Sequence, residues 1–267
     1  MFVPLIFSKN LFTEKVLLSS ITFINFYLMS ALVYVINDYI DIENDKKHPT
    51  KKYRPLASGK VSKTEAKILI LVLLIINIFF SIFWLSINNY ATLIVLLLFL
   101  VNNITYTLKG KQFYLVDIIQ IAFGYVLRVI GGSLSISVMP SMFLVLVTFT
   151  LTFSIGMAKR IREIQINGIK SRVSLVQYNK INSRKLLFLS LLALNIFYAI
   201  YTLLTYDQKR TIMFSIPFVI MLSHLFAKTI LHSKELEDDP SIVFLKSRRN
   251  LVLLVITIII LIILIYV

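Results

Sequence analysis

Three aspartates are spaced so that they lie along one side of a helix at the end of an apolar segment. Asp38, Asp41 and Asp45 occupy positions i, i+3 and i+7 in VINDYIDIENDKKHP, and Asn37 borders them. In a continuous helix they share one face, where their charges repel unless a cation lies between them. Mg²⁺ prefers such carboxylates together with substrate phosphate oxygens. The spacing therefore predicts a magnesium site, with a solvated helix end neutralised by the two following lysines as the alternative.

A basic segment follows these aspartates. His48, Lys51, Lys52 and Arg54 lie within seven residues of HPTKKYRPLASG, and its two prolines disfavour a continuous helix. A metal–diphosphate ligand requires such cations beside acidic metal ligands, because metal and basic side chains share the phosphate oxygens. We therefore expect an ordered loop that binds substrate phosphates.

A second polar group surrounds the start of a later apolar segment. Tyr106 and Lys109 precede it, Asp117 opens it, and Arg128 follows on the same polar or small face as Asp117. Eleven residues of helix place Arg128 about 16 Å deeper than Asp117. A charge at that depth costs at least ~2.5 kcal/mol unless it is paired or faces a cavity. We expect Arg128 to bind a phosphate or a carboxylate, with a structural ion pair as the alternative.

A third charged group ends the fifth apolar segment. Lys159 and Arg160 occur with Glu163 in MAKRIREIQ. The two basic residues are interpreted either as phosphate ligands or as a flank that orients the helix in the membrane. The acidic segment ELEDDP at 235–240 is interpreted only as a solvated helix cap.

The elements that position these residues are set by composition. Of 267 residues, 58% are hydrophobic and 15% are charged, whereas soluble domains carry about a quarter charged residues. A soluble enzyme and a nucleic-acid-binding module are therefore excluded, despite a formal net charge of +15.

Eight segments are long and apolar enough to cross a bilayer. They are about 16–38, 66–87, 91–108, 115–137, 141–158, 186–205, 211–231 and 249–267. A shorter apolar stretch, MFVPLIF, has the length expected of the second half of a helix. We therefore predict an all-α, polytopic membrane helix bundle forming one domain, 1–267, with eight complete transmembrane helices and an N-terminal remnant of a ninth.

The basic residues predict the orientation of these helices. Loops after the first, third, fifth and seventh spans hold 23 of the 28 lysines and arginines. By the positive-inside rule these loops are cytoplasmic. We expect a multi-pass protein of the cytoplasmic membrane whose site faces the cytoplasm.

The motifs resemble those of the UbiA superfamily of intramembrane prenyltransferases. NDYIDIEND at 37–45 fits the family's NDxxDxxxD motif and is followed by RPLASG, while YTLK at 106–109 with Asp117 is similar to its YxxxK-and-Asp segment. HPTKKYRPLASG, YVLRVIGG and AKRIRE are most similar to the polyprenyl-phosphate phosphoribosyltransferase branch. Two departures stand out: the family's RPxQWxKN start and its second DxxxD motif do not occur.

This resemblance implies nine helices around a central cavity open to the cytoplasm, a Mg²⁺ cofactor and two substrates. The donor is phosphoribosyl pyrophosphate, a soluble diphosphate, and the acceptor is a polyprenyl phosphate in the lipid bilayer. Asp38, Asp41, Lys109 and Asp117 are implied as catalytic residues, and Asp38, Asp41 and Asp45 as metal ligands. Substrate-binding roles are implied for Asn37, His48, Lys51, Lys52, Arg54, Tyr106, Arg128, Lys159 and Arg160.

Two other functions are compatible with the same residues. The first is a prenyltransferase that moves a prenyl group from a prenyl diphosphate to an aromatic or lipid-precursor acceptor. The second is a transporter whose polar residues line a pathway, although the internal repeat symmetry common in transporters is not found in the sequence. Nucleic acid is not expected as a partner.

Overall fold

A computed structural model describes residues 1–47, 51–85, 90–168, 175–180, 182–204, 210–233, 235, 237 and 239–266. Within these residues the structure consists of α-helices, short 3₁₀ turns and loops, with no strand. The long helices are α2 (Lys15–Ile40), α4 (Lys63–Leu85), α5 (Tyr90–Leu108), α6 (Val116–Ser135), α7 (Met142–Asn167), α9 (Ser183–Leu204), α10 (Ile216–His232) and α12 (Arg248–Tyr266). In the described part of the chain, eight helical segments have the length and apolarity to cross a membrane, which confirms the predicted fold class and number of complete spans.

Four short helices accompany the long ones: α1 (Val3–Phe7), α3 (Ile42–Lys46), α8 (Leu175–Lys180) and α11 (Pro240–Lys246). Local sequence explains several helix ends. At the start of α4 the Ser62 amide donates to Glu65 Oε2 at 2.7 Å, and the Glu65 amide donates to Ser62 Oγ at 3.2 Å, a reciprocal cap. At α11 the Asp239 carboxylate accepts the Ser241 amide, and Pro240 occupies the first turn.

The chain forms two compact units. The first comprises Met1–Leu5, Asn10–Gly110 and Leu127–Met139. Its apolar core contains Phe26 of α2, Phe99 of α5 and Leu127 of α6, and the Phe26 and Phe99 rings lie 5.4 Å apart. A Cβ atom at Gly131 would lie 2.8 Å from the Phe26 ring, so α2 and α6 approach closely because this residue lacks a side chain.

The second unit comprises Ile6–Lys9, Lys111–Val126 and Pro140–Val267. Its core joins Ile118 of α6 and Met157 of α7 with Leu187 of α9, Ile230 of α10 and Val243 of α11. The short helix α8 enters this core through Leu175 and Tyr178, both fully buried. Each unit thus has its own core, and each contains one of the charged clusters described below.

Candidate functional site

The first charged cluster forms where α2 ends. A continuous helix would place Asp38, Asp41 and Asp45 on one face, but α2 ends at Ile40 and α3 begins after Asp41. Asp and Asn are poor helix-interior residues because their side chains compete for backbone groups. The helical hydrogen bonds nevertheless persist on both sides of the break: the Asp41 amide donates to Asn37 O and the Asp45 amide to Asp41 O. The three aspartates therefore stay on consecutive turns.

Arg54 joins two of these aspartates. Its Nη1 atom lies 2.7 Å from Asp38 Oδ1 and 2.9 Å from Asp45 Oδ2. A 3₁₀ turn at Lys51–Tyr53 positions it, with the Arg54 amide donating to Lys51 O at 2.9 Å. A guanidinium thus lies between two of the three carboxylates, and the predicted Mg²⁺ site stays a prediction. We call Asp38, Asp41, Asp45 and Arg54 the acidic cluster.

The acidic cluster is partly open to solvent. The side chains of Arg54 and Asp38 are 37% and 31% exposed, whereas that of Asp45 is only 6% exposed. The Arg54–Asp38 pair is weakly held, because water competes for both of its partners. Arg54 is therefore able to exchange Asp38 for another anion at little cost.

The donor chemistry of the acidic cluster fits Mg²⁺ bound together with a phosphate ligand. Carboxylates supply the hard oxygens that this ion requires, and Mg²⁺ typically takes one or two of them plus phosphate oxygens and water. Within the described residues no three acidic, histidine or cysteine side chains already form a metal-binding group. Carboxylates of this kind suit a Mg²⁺ ion that brings its phosphate ligand.

Other residues predicted for the site lie elsewhere in the first unit. Lys51 is half-buried and Lys52 is exposed, with its ammonium 5.1 Å from the Tyr53 ring centroid. Tyr106 is half-buried near the end of α5, and Lys109 is exposed just after it. Their predicted roles, and that of the half-buried Asn37, stay predictions. His48 lies outside the described residues.

Arg128 is half-buried in the part of α6 that belongs to the first unit. Its Nη2 donates to Ser30 Oγ at 3.1 Å, and its guanidinium carbon lies 4.7 Å from the Phe99 ring centroid. A hydroxyl and an aromatic face stabilise a guanidinium without neutralising it. Arg128 thus has protein partners within the membrane-spanning helices. Its binding of a phosphate stays a prediction.

The second charged cluster is almost completely buried. Asp117 of α6 and Arg160 of α7 form an ion pair of 2.9 Å between Oδ2 and Nε, with side-chain exposures of 0% and 3%. Arg160 also pairs with Glu163 one turn later. Tyr178 of α8 donates to Asp117 Oδ1 at 2.6 Å and accepts the Leu115 amide at 3.1 Å. We call Asp117, Arg160, Glu163 and Tyr178 the buried cluster.

The tyrosine in the buried cluster acts as a hydrogen-bond donor to Asp117. Burial, together with the charge of Asp117, raises the pKa of Tyr178 well above its ordinary value. The hydroxyl therefore stays protonated and keeps its hydrogen bond to the Asp117 carboxyl group. The cluster holds two carboxylates and one guanidinium, all committed to one another.

A close helix contact places Asp117 beside Arg160. A Cβ atom at Gly156 would lie 2.8 Å from Ile118 Cγ2, so α7 approaches α6 where only a glycine fits. Arg160 follows Gly156 by one helical turn and therefore points to the same side, where Asp117 precedes Ile118. Sequence reasoning did not single out Gly156 or Tyr178, because their partners are distant along the chain.

The structure also assigns a partner set to Arg162. This side chain is fully buried and donates to the backbone carbonyls of Ser233, Glu235 and Glu237, the first at 2.9 Å. Arg162 therefore anchors the chain that follows α10. Its neighbour Lys159 is half-buried, and a substrate role for Lys159 stays a prediction.

The two clusters support different chemistry. In the acidic cluster the carboxylate of Asp38 and the guanidinium of Arg54 are partly exposed, so both can contact a ligand. In the buried cluster Arg160 is enclosed by its two carboxylate partners, so this geometry supports a positioning role rather than direct phosphate binding. A catalytic role for Asp117 and phosphate binding by Arg160 stay predictions.

Comparison with known proteins gives consistent results. A model of the UbiA prenyltransferase family matches residues 5–254. The decaprenyl-phosphate phosphoribosyltransferase of Mycolicibacterium smegmatis is 29% identical over 217 residues, which cover 76% of this chain and 67% of that protein. The protein of the same name from Mycobacterium tuberculosis is 28% identical over 186 residues, 68% of this chain and 60% of that protein. The chain thus spans about two thirds or less of the length of these relatives.

The fold is also found among solved structures. A UbiA homolog from Archaeoglobus fulgidus bound to DMAPP and Mg²⁺ superposes with a TM-score of 0.71. The match covers 96% of this chain and 89% of that chain, at 16% identity. The predicted UbiA-like helical fold is therefore confirmed.

Proposed function

This chain belongs to the UbiA prenyltransferase family, and from that premise we propose that it transfers a 5-phosphoribosyl group from phosphoribosyl pyrophosphate to a polyprenyl phosphate. The observation that carries the proposal is the acidic cluster, in which Arg54 bridges Asp38 and Asp45. The names of the mycobacterial relatives support the choice of phosphoribosyl donor and lipid acceptor.

In the proposed reaction an oxygen of the lipid phosphate forms a bond to C1 of the ribose. The bond from C1 to the pyrophosphate oxygen breaks, and pyrophosphate leaves with the bonding electrons. The lipid phosphate is already ionised at neutral pH, so no strong general base is required. Catalysis is then mainly positioning and stabilisation of the charge that develops on the leaving group.

The residues of the acidic cluster have different roles in the proposed reaction. Mg²⁺ held by Asp38, Asp41 and Asp45 would neutralise the leaving diphosphate. Arg54 leaves its carboxylate partners and binds a phosphate oxygen. The N–H donors of its planar guanidinium suit the geometry of phosphate oxygens. Lys51 and Lys52 add positive charge from the same segment.

We also place the chain in the cytoplasmic membrane with the acidic cluster on the cytoplasmic side. The support is the distribution of charge, because 23 of the 28 basic residues occur in loops on one predicted side. A soluble, highly charged donor reaches the site only from that side.

The test measures Mg²⁺-dependent transfer of radiolabelled phosphoribosyl into lipid extract by membranes that contain the chain. Asp38→Asn and Asp41→Asn are each expected to lower kcat/KM by roughly 10²- to 10³-fold, since each removes charge that stabilises the leaving group. The matched control is Glu43→Gln, because Glu43 belongs to the same acidic segment, two residues after Asp41, but is 69% exposed and pairs with Lys46. Wild-type activity in either Asp variant, or equal loss in the control, contradicts the proposed role of the acidic cluster.

A second candidate is prenyl transfer from a prenyl diphosphate. The observation in its favour is the fold of the Archaeoglobus fulgidus homolog, whose structure contains DMAPP and Mg²⁺. Protection against proteolysis separates the two candidates. Protection by phosphoribosyl pyrophosphate favours the first, and protection by a prenyl diphosphate alone favours the second.

A further inference from the structure

A groove lies between α10 and α12 in the second unit. Its volume is about 410 Å³. Its lining residues are Met221 of α10 and Arg248, Arg249, Val252, Leu253 and Ile256 of α12. Apolar side chains thus form most of the groove, and two arginines lie at one end of it.

The start of α12 fixes this arrangement. Asn250 is fully buried, and its Nδ2 donates to Thr229 Oγ1 of α10 at 3.0 Å and to Phe244 O at 3.2 Å. Because Asn250 points inward, the two preceding arginines point outward, and both are exposed. Residues 249, 253 and 256 then follow one face of the helix, so the groove continues from the arginines for about two turns.

The charge at this end is available for a ligand. Among the described residues neither Arg248 nor Arg249 forms an ion pair, whereas nearby Lys246 pairs with Glu235 at 2.7 Å. Both guanidinium groups line the groove, and their N–H donors suit the oxygens of a phosphate group. The remainder of the groove lies on a membrane-spanning helix, where acyl chains replace water as the solvent.

We propose that this groove binds an anionic phospholipid of the surrounding bilayer. Its phosphate contacts Arg248 and Arg249, and one acyl chain lies along Val252, Leu253 and Ile256. Basic pockets between membrane helices bind anionic headgroups in this way. The groove extends about 12 Å from Arg248 to Ile256 at the helical rise, which accommodates the upper part of an ordinary acyl chain. The proposal is independent of the transfer reaction.

The experiment is native mass spectrometry of the full chain released from detergent with added phosphatidylglycerol or phosphatidylcholine. Wild-type protein is expected to retain phosphatidylglycerol in preference to phosphatidylcholine. Arg248→Gln/Arg249→Gln lowers the affinity for phosphatidylglycerol by roughly tenfold, because each basic residue at the membrane surface contributes to binding an anionic headgroup. Val252→Trp fills the groove and lowers retention without changing the charge.

A matched control removes the same charge from another helix start. Arg184→Gln/Lys185→Gln alters two exposed basic residues in the first turn of α9, and this variant is expected to retain phosphatidylglycerol as wild type does. Melting temperatures without added lipid confirm that each variant is folded. If the glutamine variant melts early, Arg248→Lys/Arg249→Lys, which keeps both charges, is expected to retain most of the wild-type affinity for phosphatidylglycerol. Equal loss in the control, unchanged retention in the arginine or tryptophan variant, or displacement by an equimolar polyprenyl phosphate overturns the proposal.

Discussion

The acidic cluster and the buried cluster use the same chemical groups in opposite ways. In each, one arginine contacts two carboxylates: Arg54 bridges Asp38 and Asp45, and Arg160 bridges Asp117 and Glu163. The arginine side chain is 37% exposed in the first and 3% exposed in the second. Exposure, rather than residue type, therefore separates a pair that can exchange partners from one that cannot.

The energetic reason is the desolvation of charge. A partly exposed ion pair contributes little to stability, because water solvates its partners almost as well. A fully buried pair leaves an uncompensated charge in an apolar surrounding when one partner is removed. The comparison thus predicts that substitutions in the acidic cluster affect ligand binding, whereas substitutions in the buried cluster affect folding.

The largest expected effect is the loss of Arg160. Arg160→Ala leaves Asp117 charged and enclosed, and we expect it to lower the free energy of unfolding by about 3–5 kcal/mol. The triple variant Asp117→Leu/Arg160→Met/Glu163→Gln removes all three charges of the buried cluster and is expected to regain most of that stability. The free energies of unfolding of both variants are measured in mixed micelles. A triple variant that is stable but inactive would instead indicate that the cluster binds a substrate phosphate.

Much of the fold was predictable from the sequence, because apolar segments of this length have few alternatives to membrane-spanning helices. The predicted span 211–231, for example, matches Thr211–His232. The predicted span 141–158 ends too early, since α7 continues to Asn167. The prediction stopped at the charges of Lys159 and Arg160, but Lys, Arg and Glu are good helix formers, and the helix continues through them.

The sites were predictable only where spacing along the chain implies proximity. Asp38 and Asp45 are two turns apart, and the structure brings both onto one guanidinium as the spacing indicates. Tyr178 is 61 residues from Asp117, and no local pattern marks that contact. The sequence predicts only substrate phosphates as partners of Arg54. No local pattern marks the 3₁₀ turn at Lys51–Tyr53 that directs Arg54 to the two aspartates.

A smaller effect is expected when the hydroxyl of Tyr178 is removed. Tyr178→Phe deletes the hydrogen bond to the buried carboxylate of Asp117 and also the acceptor of the Leu115 amide. The bond to the carboxylate alone is expected to contribute about 1.5–3 kcal/mol. The matched control is Tyr198→Phe, which deletes a bond of 2.7 Å from a buried tyrosine to the neutral hydroxyl of Ser215 and is expected to cost about 0.5–1.5 kcal/mol. Equal losses in thermal unfolding would contradict the larger contribution expected from the bond to the Asp117 carboxylate.

The smallest loss of stability is expected for the removal of Arg54, and the response of this variant to Mg²⁺ tests whether the acidic cluster differs from the buried cluster. Arg54→Gln removes the cation between Asp38 and Asp45, and partial exposure limits the loss of stability to about 1 kcal/mol. Because Mg²⁺ then binds carboxylates that no longer have a competing guanidinium, it is expected to raise the melting temperature of this variant by about 2–4 °C more than that of wild type. Lys60→Gln, which removes an exposed charge from the same loop, is expected to respond to Mg²⁺ as wild type does. An equal response in Arg54→Gln and wild type would mean that the metal and Arg54 do not share these carboxylates, and the acidic cluster would then be as fixed as the buried one.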